Sequence, residues 1–203
     1  MAFINLRTRE IQIKIVYYGP AGSGKTTNLR YIYTTYPDAL PSKLLTVSAG
    51  GDPTVFLDFL PITITDIDGF ALKVRIYTVP GHDLYDETRK TVLRGVDGIV
   101  FVADASAMRK TNILSLKNLQ SNLLVYRKDL AQIPLVFQFN KYDLEEQGAL
   151  LLPPTTLLND LNRPYRKPYF VASALKGKNV VATLKKIIIM TMDAVEERYR
   201  EVS

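Results

Sequence analysis

Apolar and polar positions change period several times along the chain, and each change marks an element. Ile11, Ile13 and Ile15 alternate with polar residues and run into Val16-Tyr17-Tyr18, as a buried strand would. Residues 27–36 then adopt helical spacing, with Leu29, Ile32 and Tyr33 on one side and Pro37 as a stop. Residues 55–65 read as a strand in which Pro61 marks an edge or a bulge. Asp68-Gly69 turns that strand into another over residues 70–79. Residues 98–103 and 134–139 are nearly all apolar and predict buried strands. Between them, residues 112–126 put Ile113, Leu116, Leu119, Leu123 and Leu124 on one stripe of a helix. A short strand is expected at 169–172. A closing helix is expected at 180–200, with Leu184, Ile187, Ile188, Thr191 and Val195 inward. Residues 3–6 read as a short edge strand and 43–54, around Gly50 and Gly51, as a mobile loop. Pro153-Pro154 can start a short helix within 148–161. Strands alternating with helices predict an α/β fold, a mostly parallel sheet covered on both faces, in a single domain over residues 1–203. Ligands of such sheets sit at the carboxyl ends of the strands.

Composition adds limits rather than chemistry. The 203 residues suffice for one good core, and 47% hydrophobic with 23% charged is ordinary for a globular chain. No cysteine is present, which excludes a disulfide framework and cysteine-based metal sites. A net charge of +6 suits nucleotides, anionic membrane surfaces or an acidic partner but is too small by itself to argue for nucleic-acid binding. Arg89, Lys90, Arg94, Arg163, Arg166, Lys167, Lys185 and Lys186 read as solvated faces. Residues 1–9 lack the apolar core of a signal peptide, and residues 187–190 are too short to span a membrane. Ala2 and the cysteine-free terminus exclude myristoyl and prenyl anchors, so a cytoplasmic protein without direct membrane anchor is expected.

The chemistry lies in two motifs that follow strands. Gly19-Pro20-Ala21-Gly22-Ser23-Gly24-Lys25-Thr26 fits the phosphate loop G-x-x-x-x-G-K-[ST]. Its glycines let backbone N–H groups converge on a phosphate, Lys25 supplies an ammonium, Thr26 offers Mg²⁺ a hydroxyl, and the next helix turns its positive end to the same place. Asn140-Lys141-Tyr142-Asp143 fits N-K-x-D. The Asp143 carboxylate can accept from the two donors on one edge of guanine, which adenine does not offer. Asn140 can tie the base to the phosphate loop, and the stem of Lys141 can lie over it. Asn and Asp also favour turns, so this motif gains weight only from the phosphate loop upstream.

Together these residues resemble a small Ras-like GTPase. Tyr17-Tyr18-Gly19-Pro20, Thr26-Thr27-Asn28-Leu29, Phe59-Leu60-Pro61, Tyr77-Thr78-Val79-Pro80-Gly81 and Arg94-Gly95-Val96-Asp97-Gly98 are similar to the bacterial MglA-type GTPases of gliding motility and cell polarity. The resemblance implies a GTP/GDP switch with Mg²⁺ held by Thr26 and Thr54. It adds nucleotide contacts at Thr27, Gly81 and the loop Ser173-Ala174-Leu175, and commonly a roadblock-fold regulator as partner. Thr78 where most small GTPases have Asp is a trait of the MglA type.

Three positions depart from that type. Pro53 replaces an arginine that acts as an internal finger, and proline has no cation with which to stabilise transition-state charge. Ala21 replaces a glycine of the phosphate loop. His82, the single histidine, replaces the glutamine that orients water. His82 reads either as a working substitute on that water or as an exposed loop residue in a hydrolysis-poor protein. Three functions follow: a slowly hydrolysing GTP switch, a GTP-bound interaction protein that does not cycle, and a P-loop kinase, against which the N-K-x-D motif counts.

Overall fold

The computed structural model describes residues 2–37, 44–48, 56–67, 69–81 and 85–202. The described strands are β1 (Phe3–Asn5), β2 (Glu10–Tyr18), β3 (Leu45–Ser48), β4 (Phe56–Ile67), β5 (Phe70–Thr78), β6 (Gly98–Asp104), β7 (Leu135–Asn140) and β8 (Tyr169–Val171). The helices are α1 (Lys25–Thr35), α2 (Asp86–Leu93), α3 (Arg109–Leu124), α4 (Pro154–Leu157) and α5 (Val180–Val202). The strands form one sheet in the order β3-β4-β5-β2-β6-β7-β8, with β1 paired to β2 beside that path. The run β5-β2-β6-β7-β8 is parallel, whereas β1, β3 and β4 pair antiparallel.

Side-chain alternation along the strands builds two cores. Ile13, Ile15 and Tyr17 of β2 face α1 and α5, where they meet Leu29, Ile32, Leu184 and Ile187. Val16 and Tyr18 of the same strand face the other way, toward Leu93 of α2, Leu116, Leu119 and Leu123 of α3, and Leu157 of α4. Every residue of β6 and β7 is buried, which is why both strands read as apolar runs without alternation. Pro61 lies where pairing with β3 has already ended at Phe59, which fits the edge reading; it pairs in regular register with Arg75, and the bulge of β4 falls further on, between Ile64 and Ile67. Gly69 occupies the β4–β5 turn with φ of +80°; Asp68 lies outside the described residues.

Three expectations need correction, and one helix has no counterpart among them. The span 43–54 is not all loop: Leu45–Ser48 is a strand, paired from Leu45↔Phe59 to Ser48↔Phe56, and the two glycines that suggested a loop come after it. The sequence pattern does not predict α2. Only Val92 and Leu93 of its eight residues are apolar, and its third buried side chain is Arg89. Arg89 therefore does not belong to a solvated face; it is 4% exposed. Leu124 is not on the buried stripe of α3, because it follows Leu123 by about 100° and turns to solvent at 68% exposure.

Candidate functional site

The phosphate loop follows β2 directly, and Gly24 ends it as the residue capping α1. Gly24 has a φ of +97°, and a Cβ there would collide with the Asn140 amide, so both backbone and space require glycine. Lys25 is nearly buried. Its Nζ donates to the carbonyls of Gly19 at 2.9 Å and Pro20 at 2.6 Å. Burial, and after it the charge of Arg89, push the Lys25 ammonium down to about 7, against the pull of Asp58 and Asp104. Gly81, after β5, lies directly on the loop: a Cβ there would collide with the backbone of Pro20 and Ala21.

Thr26 donates its hydroxyl to Asp58 Oδ2 at 2.5 Å. Thr78 donates to the same oxygen at 3.0 Å, and the Asp58 N–H donates to Thr78 Oγ1 at 2.9 Å. Asp58, from β4, is fully buried. Sequence reasoning missed it; the available signal was a carboxylate inside the apolar run Phe56 to Leu60, opposite a threonine where Asp is usual. No group of three or more His, Cys, Asp or Glu positioned to hold a metal occurs among the described residues. The oxygen donors at the phosphate end are hydroxyls and one carboxylate, a set that suits a hard ion such as Mg²⁺, which also keeps waters and binds phosphates.

The base end is tied together by Asn140. Its Nδ2 donates to the Ser23 carbonyl at 2.8 Å, and its Oδ1 accepts from the Ala174 N–H at 2.8 Å. Lys141 adopts φ of +76° and pairs with Asp104 at 2.6 Å. Asp143 is buried in the turn that follows. The Ser173 hydroxyl accepts from the Lys176 N–H at 3.1 Å, shaping the last loop, and Leu175 is exposed. Gly22, Gly24, Thr27, Asn140, Lys141, Asp143, Ala174 and Leu175 line one pocket of about 300 Å³. Behind it, Asn28 Nδ2 donates to Gln138 Oε1 at 2.8 Å, Gln138 returns a bond to Asn28 Oδ1 at 3.0 Å, and Gln138 Nε2 donates to Thr183 Oγ1 at 3.2 Å. This buried amide exchange joins α1, β7 and α5.

A second pocket of about 280 Å³ opens on the other side of the loop, lined by Tyr18, Gly19, Ala21, Gly81, Arg89 and Asn118 among others. The structure thus gathers residues 19–27, Gly81, Asn140, Lys141, Asp143 and Ser173 to Leu175 at the carboxyl ends of the parallel strands. Thr54, Pro53 and His82 lie outside the described residues. No helix among the described residues is long and apolar enough to cross a membrane.

A glycine-rich loop between a parallel strand and a helix, in this sheet order, is the architecture of the P-loop nucleotide-binding proteins. Residues 14–193 match the family model described as Ras family. The chain is also 45% identical over 188 residues, 92% of this chain and 94% of the relative, to the mutual gliding-motility protein MglA of Myxococcus xanthus (strain DK1622). The chain belongs to the Ras family, as an MglA-type Ras-like GTPase.

Proposed function

We propose that the chain, as one domain over residues 1–203, is a guanine-nucleotide switch that hydrolyses GTP slowly and regulates polarity or motility. The observation that carries this reading is the Asn140 bridge, which fastens the phosphate loop to the Ala174 loop beside the pocket lined by Asp143. In this reading Asp143 accepts from guanine's two donors, Lys141 covers the base, and the backbone from Ser173 to Leu175 completes its edge. Lys25, Gly81 and the loop from Gly19 to Thr27 hold the phosphates. Thr26, Thr54 and, through the Thr26 hydroxyl, Asp58 hold Mg²⁺. When bound, the ion would supply positive charge that offsets the negative charge of the phosphates. The relative's name supports a part in motility, and the resemblance supports a roadblock-fold partner. No nucleic-acid partner belongs to this reading, and the expected location is cytoplasmic.

Slow turnover follows from Pro53, which lacks the cation worth about 10³–10⁵ in rate, and from the Ala21 methyl where family members have glycine. Any remaining rate depends on the neutral imidazole of His82 accepting a proton from water. Single-turnover hydrolysis by wild type and His82→Ala should show a slow wild-type rate that falls as pH drops through about 6.5 and falls further in the variant. A brisk, partner-free rate unchanged by His82→Ala would overturn the slow switch and the role of His82. A second reading, a GTP-bound docking protein that does not cycle, is favoured by Pro53 and by the tight seat of Gly81 on Ala21. It predicts no hydrolysis even with a roadblock-fold protein added.

A further inference from the structure

Arg89 has no part in the nucleotide contacts derived above, yet the fold buries it beside them. Burying a guanidinium is costly unless something specific receives it. Arg89 Nη2 donates to Asp86 Oδ1 at 3.1 Å, and Nη1 reaches the Pro80 carbonyl at 3.5 Å. Asp86 is itself held by α3, accepting from Asn118 Nδ2 at 2.8 Å and Asn122 Nδ2 at 2.9 Å, and it pairs with Lys90 at 3.0 Å. Burial works to raise the Asp86 carboxyl, but these donors overcome it and hold the group well below the usual carboxylate range. Asp86 is thus a charged brace that ties Arg89 to α3.

The braced guanidinium lines the 280 Å³ pocket with Gly19, Ala21 and Gly81, on the side of the loop away from the base. A guanidinium held in a low-dielectric cleft beside the phosphate loop favours an anion there. The same guanidinium touches the Pro80 carbonyl next to Gly81, the residue seated on Ala21. We propose that Arg89 is a positioning residue for the triphosphate end: braced by Asp86, it sets the Pro80–Gly81 peptide against the phosphate loop and, with Lys25, favours a nucleoside triphosphate over a diphosphate. The proposal deepens the guanine-nucleotide reading and rests on it.

The test measures affinities of the full chain with Mg²⁺ for fluorescent GDP, ADP and a non-hydrolysable GTP analogue, in wild type, Arg89→Gln and Arg89→Lys. Arg89→Gln should weaken the GTP analogue about tenfold while GDP stays within about twofold, and Arg89→Lys should recover part of the loss. The ³¹P resonance of the bound analogue's γ-phosphate should move in Arg89→Gln. Equal weakening of both nucleotides, or no change in either, overturns the proposal and leaves guanine selectivity standing. A wild type that does not prefer GDP to ADP removes the parent reading and this one with it. If Arg89→Gln fails to fold, Asp86→Asn keeps the cation but loosens its brace and must lower the same ratio; an unchanged ratio overturns the proposal.

Discussion

The base end and the phosphate end of the site are built on opposite plans. At the base end, the protein's own bonds form the receptor: Asn140 joins Ser23 to Ala174, Lys141 is paired with Asp104, and Asp143 lines the pocket they frame. At the phosphate end, the groups with ligand chemistry hold one another. Lys25 is on the carbonyls of Gly19 and Pro20, Thr26 is on Asp58, and Gly81 is on Ala21. The first arrangement is preorganised and costs little to fill. The second must exchange internal partners for ligand atoms, so its occupancy is coupled to movement of the elements that supply those partners. Base recognition can then be the same for both nucleotide states while phosphate recognition differs between them, as a switch requires.

The contrast can be broken most severely at Asp143. Asp143→Asn turns one acceptor into a donor against guanine's amine, and should weaken GTP and GDP alike by roughly 100-fold. Xanthosine nucleotides, with a carbonyl at that place, should gain. Competition binding checks both, and a wild type with equal affinity for ATP and GTP would remove the base-end plan altogether.

At the phosphate end, the expected effect is a proton. Lys25 sits at about 7 in the folded chain against an ordinary 10.5. Between those values the folded chain binds fewer protons than the unfolded one, so the nucleotide-free protein should gain stability from this group as pH rises through that window. Phosphate favours the ammonium, so nucleotide binding at pH 8 should take up about one proton. Calorimetry in two buffers of different ionisation enthalpy measures this. Lys25→Met should abolish the uptake and cost about 1.5–3 kcal/mol of GTP affinity. Equal uptake in both proteins would place the titrating group elsewhere. The smallest effect is expected at Ala21. Ala21→Gly removes one methyl beside Gly81 and should raise the single-turnover rate about two- to fivefold, with GDP affinity unchanged. A slower variant would show that the methyl helps to seat Gly81.

The two ends were also unequally legible in the sequence. Local motifs define the phosphate loop and N-K-x-D, because close backbone packing and guanine's donor pair each demand fixed residue types at fixed spacing. Asp58 and Arg89 follow no local rule. Asp58 is buried by partners far away in sequence, Thr26 and Thr78, and Arg89 by an i,i+3 partner, Asp86, that is itself held from a distance by Asn118 and Asn122 of α3. The helix bearing Arg89 was lost for the same reason, since a pattern sought in apolar side chains cannot register a guanidinium that packs inward. β3 was hidden by the glycines beyond its end, whereas β6 and β7 were plain from their apolar runs.

The amide exchange between Asn28 and Gln138, continued to Thr183, pins the first turn of α1 to β7 and α5. A helix pinned so close to its start cannot swing or slide without breaking several buried hydrogen bonds at once. It acts as the fixed jaw of a vice. Travel then falls to the opposite jaw, formed by β4, β5 and α2, which bear Asp58, Thr78 and Arg89. Displacement at the phosphates would then be borne by one side of the molecule and would leave the helix that anchors them unbent.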